Sequence, residues 1–427
     1  MTSLNDVADF FSGGTPKKGV AKFWGGDIPW FSAANMRNRF LSTSDVNITQ
    51  DGLASGSRLA PKGATLLLVR GSGLFNSIPI CFADSPVAFN QDVKAICAKP
   101  GTDPVYLHFV IEALRPRLEE NISLTGIGAG KFDLDFLKRL PFPMISLEDQ
   151  RELGPLVEAF DRKIDLNRRT NETLEAMARA LFKDWFVDFG PTRAKMEGRE
   201  PYLAPNLWSL FPDRLNEETG LPEGWKRNPL DQFFSVIGGG TPKTSIPHFW
   251  NGSIPWFSVT DTPPAGCVFV VDTEKTITEA GLNGSSAQII DQGRTIISAR
   301  GTVGNLAIAG RKMTFNQSCY GLEGLGLVGN YTVYLIAQNM VKQLQAVAHG
   351  SVFSTITRQT FASLSMPKPD DDVFVAFEGC VSPLFDKILA NVLEASTLAQ
   401  TRNLLLPRLI SGEIRLRATE QIARETL

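Results

Sequence analysis

FWGGDIPWFS at residues 23–32 returns as FWNGSIPWFS at residues 249–258, with two positions changed. Ten residues before each copy, Gly13-Gly14-Thr15-Pro16-Lys17 matches Gly239-Gly240-Thr241-Pro242-Lys243 at the same displacement of 226. The correspondence runs on through Ile48-Thr49 and Ile277-Thr278, Arg70-Gly71 and Arg300-Gly301, and Phe89-Asn90-Gln91 and Phe315-Asn316-Gln317. The displacement drifts to 230 and comes back to 226. Fixed landmarks between loops of altered length mark one fold used twice, with its surface free to diverge. A period this long is a whole domain rather than a solenoid unit. Runs such as ATLLLV and RTIISA, broken by Gly, Pro and Asn, read as short strands, so each copy is expected to be a mixed α/β (α+β) domain, at residues 1–145 and 226–369.

A different kind of sequence follows each copy. Leu153, Val157, Phe160, Ile164, Asn167, Asn171, Leu174, Ala178 and Leu181 are spaced by alternating steps of four and three, the seam of a coiled coil. The same steps join Phe377, Val381, Leu384, Ile388, Asn391, Ala395, Leu398, Arg402 and Leu405. Two long helices, 146–189 and 370–414, are therefore expected to pair as an antiparallel coiled coil, giving the chain a pseudo-twofold plan. Asn167 and Asn391 take equivalent places, where a polar residue fixes register at some cost in stability; an exposed edge is the plainer alternative. Ser146 and Asp149 resemble a capping box, and Pro155 suggests a second, true helix start. A helix of about 28 residues is roughly 42 Å long, a little over one turn of DNA. Residues 190–225 read as a Pro- and charge-rich connector, and 415–427 as a tail.

Composition narrows the function. A chain of 427 residues, 43% hydrophobic and 21% charged, has the make-up of a water-soluble protein of two or three domains. It has neither a run long enough to span a bilayer nor a leader-like N-terminus, so a cytoplasmic location and no membrane partner are expected. Five scattered cysteines suit a reducing compartment and suggest neither a disulfide framework nor a zinc site. The net charge of −2 means that any DNA contact must rest on local clusters of cations or on partner proteins.

The candidate DNA contacts follow from that restriction. Arg70 and Arg300 recur beside glycines, and arginine bonds a guanine edge bidentately; an arginine tied to a nearby carboxylate is the alternative. Gln91 and Gln317 could pair with adenine, though retention in both copies favours bonds to the scaffold. Lys17, Lys18, Lys22, Arg37 and Arg39 form the densest basic stretch, with Lys243 its sparser counterpart; phosphate contact competes with a solvated face. Lys131 in GIGAGKF and Arg358 in STITRQTF sit at similar places near the ends of the two domains and suit a DNA backbone. Trp24, Trp30, Trp250 and Trp256 read as packed core before stacking platforms. On the first helix, Arg162, Lys163, Arg168 and Arg169 mix with Glu158, Asp161 and Asp165, a protein-docking or solvated face.

Taken together, GGTPKK, FWGGDIPWFS and their second copies, LEDQREL (147–153), FDRKIDLNRRTNETLEAMARALFKDWFVDF (160–189) and LLLPRLISGEI (404–414) resemble the specificity subunit of type I restriction–modification systems. The resemblance covers essentially the whole chain. It implies two target recognition domains, each reading one half of a split, asymmetric double-stranded DNA site. Spacer helices would set the gap and dock two methyltransferase subunits, with restriction endonuclease subunits joining them. It also implies no cofactor on this chain, S-adenosylmethionine on the methyltransferase, and ATP and Mg on the endonuclease.

Catalytic motifs are approached and missed, so a non-enzyme is expected. GIGAGKF lacks the Ser or Thr and the glycine spacing of a phosphate-binding loop, and Asp188-Phe189-Gly190 stands without the other parts of a kinase. Asn228-Pro229-Leu230 does not supply the Asn-Pro-Pro-aromatic element of adenine methyltransferases, and His108, His248 and His349 lie far apart. Two other classes fit the duplication: a stand-alone DNA-binding regulator, which would bind DNA without partners, and a tandem carbohydrate-binding or adaptor protein using its tryptophans. Neither explains the paired seams.

Overall fold

The computed structural model describes residues 2–125, 128–264, 266–349 and 355–410. The expected tail at 415–427, the last residues of LLLPRLISGEI, the His349 side chain and parts of GIGAGKF and STITRQTF lie outside the described residues. The chain forms two compact units: Met1–Asp165 with the segment from Ser396 onward, and Leu166–Ala395.

The first unit is built on a five-stranded sheet ordered Ala8–Ser12, Val93–Ala98, Thr65–Leu68, Ile80–Ala83, Phe40–Leu41. The first three pairings are antiparallel and the last is parallel. A second sheet carries Trp24–Phe31 between Asn47–Ile48 and Val87–Phe89. The second unit repeats the larger sheet strand for strand: Phe234–Gly238, Cys319–Gly324, Thr295–Ser298, Leu306–Ala309, Phe269–Val270, with the same pairing directions.

The repeated motifs recur because they pack on one another. Trp30 donates its indole N–H to the Gly14 carbonyl at 3.2 Å, as Trp256 does to Gly240 at 2.9 Å. A Cβ on Gly13 would lie 2.1 Å from the Phe89 oxygen, and one on Gly239 2.0 Å from that of Asn316, so only glycine admits the Phe-Asn-Gln turn. Gly25 and Asn251, where the two ten-residue motifs first differ, both take positive φ, 78° and 61°. Asparagine tolerates that conformation better than any other side chain. The Trp24–Trp30 and Trp250–Trp256 pairs meet edge to face at 5.4 and 5.1 Å, in the packed role expected of them.

The two long helices are Leu147–Phe186 and Asp371–Ile410. The first starts on Ser146, whose hydroxyl accepts from the Asp149 N–H at 3.1 Å. Pro155 lies inside this helix rather than opening a second one. It is tolerated near the N-terminal end, where it removes one helical hydrogen bond. Gln150, fully buried, ties this end to the sheet-covering helix Pro104–Ala113 by accepting from the Asp103 N–H at 2.8 Å.

Of the seam residues, Leu153, Asn167, Ile388 and Asn391 are buried, and Phe160, Ile164, Leu174, Leu181, Leu384, Leu398 and Leu405 are half-buried. In the second unit the Asn391 amide donates to Asn171 at 2.8 Å and that of Asn167 to Glu394 at 2.8 Å. Phe182 meets Phe377 at 5.9 Å, and Phe186 stacks on Phe374 at 5.8 Å. Early residues of one helix thus face late residues of the other. In the first unit Leu405 packs against the domain core, and the Arg402 guanidinium donates to Asp161.

Asp161 departs from the solvated face expected of it: it is 1% exposed. Burial raises its pKa above the ordinary carboxylate value, and the attraction of Arg39 and Arg402 offsets this only in part. The segment 190–225 is also more than a connector. It contains the helices Gly190–Met196 and Pro205–Trp208 and sends Phe211, Leu221 and Trp225 into the second unit's core beside Trp185 and Phe186.

Candidate nucleic-acid interface

In the first domain three of the expected contacts converge. The short strands Arg70–Gly71 and Gly130–Lys131 pair antiparallel with Arg70 opposite Lys131, and Phe132 donates its N–H to the Val69 carbonyl at 3.0 Å. Gly71, at φ 152°, lets the chain leave the sheet there. The result is a 280 Å³ cleft lined by Arg70, Gln91, Lys94, Lys131, Phe132 and Leu134, with Val69 behind them. Arg70 and Lys131 are exposed, and no ion pair holds either among the described residues. Gln91 accepts from the Thr15 hydroxyl at 2.8 Å, the scaffold bond that its retention in both copies favours.

Lys94 was not among the residues expected from sequence. It projects from the sheet strand Val93–Ala98, half-buried, with its amine donating to Ser12. Burial lowers its pKa, and the charges of Arg70 and Lys138 lower it further. The one available signal was a single lysine among the apolar residues of VKAICA.

The second domain repeats the frame and changes the lining. Arg300 is exposed beside Gly301 at φ 74°, and Ile356 donates to the Ala299 carbonyl at 2.9 Å as Phe132 does to Val69. Gln317 accepts from Thr241. Arg358 opens the helix Arg358–Ser363, two residues after Ile356, whereas Lys131 comes one residue before Phe132. The two cations are therefore not equivalent: Thr355 stands in the place of Lys131, and Arg358 in that of Leu134.

The basic stretch divides. Lys17, Lys18, Arg37 and Lys243 are exposed. Lys22 is also exposed but pairs with Asp51 at 3.2 Å. Arg39 departs from the expected DNA contact: its guanidinium turns inward to Asp161 at 2.8 Å. Arg162 likewise grips Asp84 through both terminal nitrogens, at 3.1 and 2.8 Å, and lies over Phe40. His108 is buried against Thr65 at 3.2 Å, and burial together with Arg39 and Arg115 keeps its ring neutral. All five cysteines are free thiols. Among the described residues no cluster of His, Cys, Asp or Glu is placed to hold a metal ion, and no helix is long and apolar enough to cross a membrane.

The chain is thus a duplicated sheet scaffold with cation-bearing turns and two long helices, and comparison identifies its family. The model of the type I restriction modification DNA specificity domain matches residues 1–176 and 222–373, and the chain belongs to that family. It is 25% identical over 425 residues to the type I restriction enzyme MjaIX specificity subunit of Methanocaldococcus jannaschii, covering 97% of this chain and 93% of that one. It is 28% identical over 324 residues to the HindI specificity subunit of Haemophilus influenzae, covering 66% and 70%. Its fold is similar to that of a type I restriction–modification S subunit from M. genitalium, with a TM-score of 0.55, 14% identity, and 96% and 95% of the two chains covered.

Proposed function

We infer that this chain is the non-catalytic subunit that gives a type I restriction–modification enzyme its DNA sequence specificity, with residues 1–145 and 226–369 each reading one half of a bipartite, asymmetric site. The observation that carries this reading is a constant frame with a variable lining. Thr15–Gln91 and Thr241–Gln317 bond alike in the two domains, while the cleft positions Lys94 and Lys131 of one become Tyr320 and Thr355 of the other. A protein that reads two different half-sites needs that combination, because base readout depends on the side chains presented to the groove. The helices, read as a coiled coil, would set the interval between half-sites and dock two methyltransferase subunits carrying S-adenosylmethionine. Endonuclease subunits using ATP and Mg would complete the complex in the cytoplasm.

The test is a long-read map of methylated adenine in a methylation-free host that carries the neighbouring methyltransferase gene, with and without this gene. The expected result is a split motif that requires this chain. Methylation unchanged by its absence would overturn the reading in favour of a stand-alone regulator.

A further inference from the structure

We propose that the cleft between the Arg70 turn and the Val93–Ala98 strand seats one phosphodiester of the DNA backbone, that Lys94 is the deepest cation of this seat, and that the second domain, with Tyr320 at that register, has no counterpart of Lys94. The proposal rests on the DNA-recognition reading above and adds a division of labour between the two domains. Arg70, Lys94 and Lys131 line one 280 Å³ cleft. No carboxylate forms an ion pair with any of the three among the described residues. Burial depresses the Lys94 amine and the like charges of Arg70 and Lys138 depress it further; a bound anion would offset both.

Depth selects the ligand group. Base edges lie recessed in the grooves and are read by side chains that protrude, whereas phosphates project from the duplex and can enter a concave seat. Arg70 and Lys131 are the exposed rim, and Lys94 is the half-buried floor. In the second domain the register partner of Lys94 is Tyr320: Ser12 pairs with Lys94 in one sheet, and Gly238 with Tyr320 in the other. The Tyr320 ring packs toward Phe361 at 6.4 Å. Arg300 and Arg358 remain there, but neither lies on the floor strand Cys319–Gly324.

The experiment uses the full chain assembled with its methyltransferase and a duplex bearing the mapped site, with K94Y and K94M as variants. Tyrosine is the residue that the second domain carries at this register, so K94Y keeps a side chain compatible with the fold; thermal melting of each variant checks this. Binding is measured between 50 and 200 mM salt. Losing one phosphate contact is expected to lower the slope of log K against log salt by about 0.9, so that affinity falls about 3.5-fold less across that range. Cognate and non-cognate DNA should weaken by the same factor, and the methylated motif should stay the same. A changed half-site with an unchanged slope would make Lys94 a base reader and overturn the seat. An unchanged slope with an unchanged motif would overturn it as well. If the wild-type complex gives no split motif, the parent reading has failed rather than this one.

Discussion

Replacing Asp161 with alanine removes the carboxylate that two arginines share. Asp161 is 1% exposed, Arg39 reaches it at 2.8 Å, and Arg402 donates to it from the end of the distal helix, with side chains 22% and 17% exposed. Removing one partner of a buried ion pair costs about 3–5 kcal/mol. The partial exposure of both arginines places this case at the lower end, about 3 kcal/mol, and for a unit of this size that lowers Tm by about 6–12 °C. The raised Asp161 pKa adds a second expectation, because it shows that burial outweighs the attraction of both guanidinium groups. A fully apolar replacement, Arg39→Met with Asp161→Leu and Arg402→Met, should therefore recover most of the loss. Glu112 and Arg115 would keep their mutual bonds at 3.0 Å. Thermal and urea unfolding followed by circular dichroism would measure both. A single variant within about 1 kcal/mol of wild type, or a triple variant as unstable as the single, would refute the reasoning.

The same carboxylate gives a pH test. Because its folded-state pKa lies above the ordinary 3.8, its contribution to stability is full below that value and declines as pH rises through the raised one. Wild type should accordingly gain on the non-titrating Asp161→Asn variant as the medium is acidified through that interval, and parallel stability curves would count against it. Asn391→Ala leaves the Asn171 oxygen buried without its donor and should cost about 1–3 kcal/mol, while Asn171→Leu with Asn391→Leu should restore stability in the same melting assay. Gly239→Ala drives a methyl to 2.0 Å from the Asn316 oxygen and should cost at least about 1–3 kcal/mol. Gly19→Ala, with nothing within 4 Å, should stay within about 0.5 kcal/mol.

The duplicated frame was legible because the matching motifs are the ones that touch: Gly13-Gly14 against Phe89-Asn90, and Trp30 against Gly14. Contact between them holds both copies to the same residues while the loops drift. Helical periodicity located the seams and the buried asparagines, but it reports a face and not a partner. It could not show that Asp161 would meet Arg39, 122 positions earlier in the sequence. The packed segment 190–225 was hidden for a related reason, since Phe211, Leu221 and Trp225 follow no period and are gathered by tertiary contact. Lys94 escaped notice because one lysine in a strand reads as its solvent side. Its meaning lies in the paired strands Arg70–Gly71 and Gly130–Lys131, which bring two more cations to the same cleft.

The make-up of the two units reverses the order in which they become complete on the ribosome. The Leu166–Ala395 unit is one unbroken stretch, whereas the unit that begins the chain also takes in the segment from Ser396 onward. At about 5–20 residues per second, the 230 intervening residues take roughly 10–50 s to synthesise. Through that interval Asp161 is without Arg402, and the core that receives Leu405 stands open. The unit whose synthesis starts first is thus completed after the one that follows it.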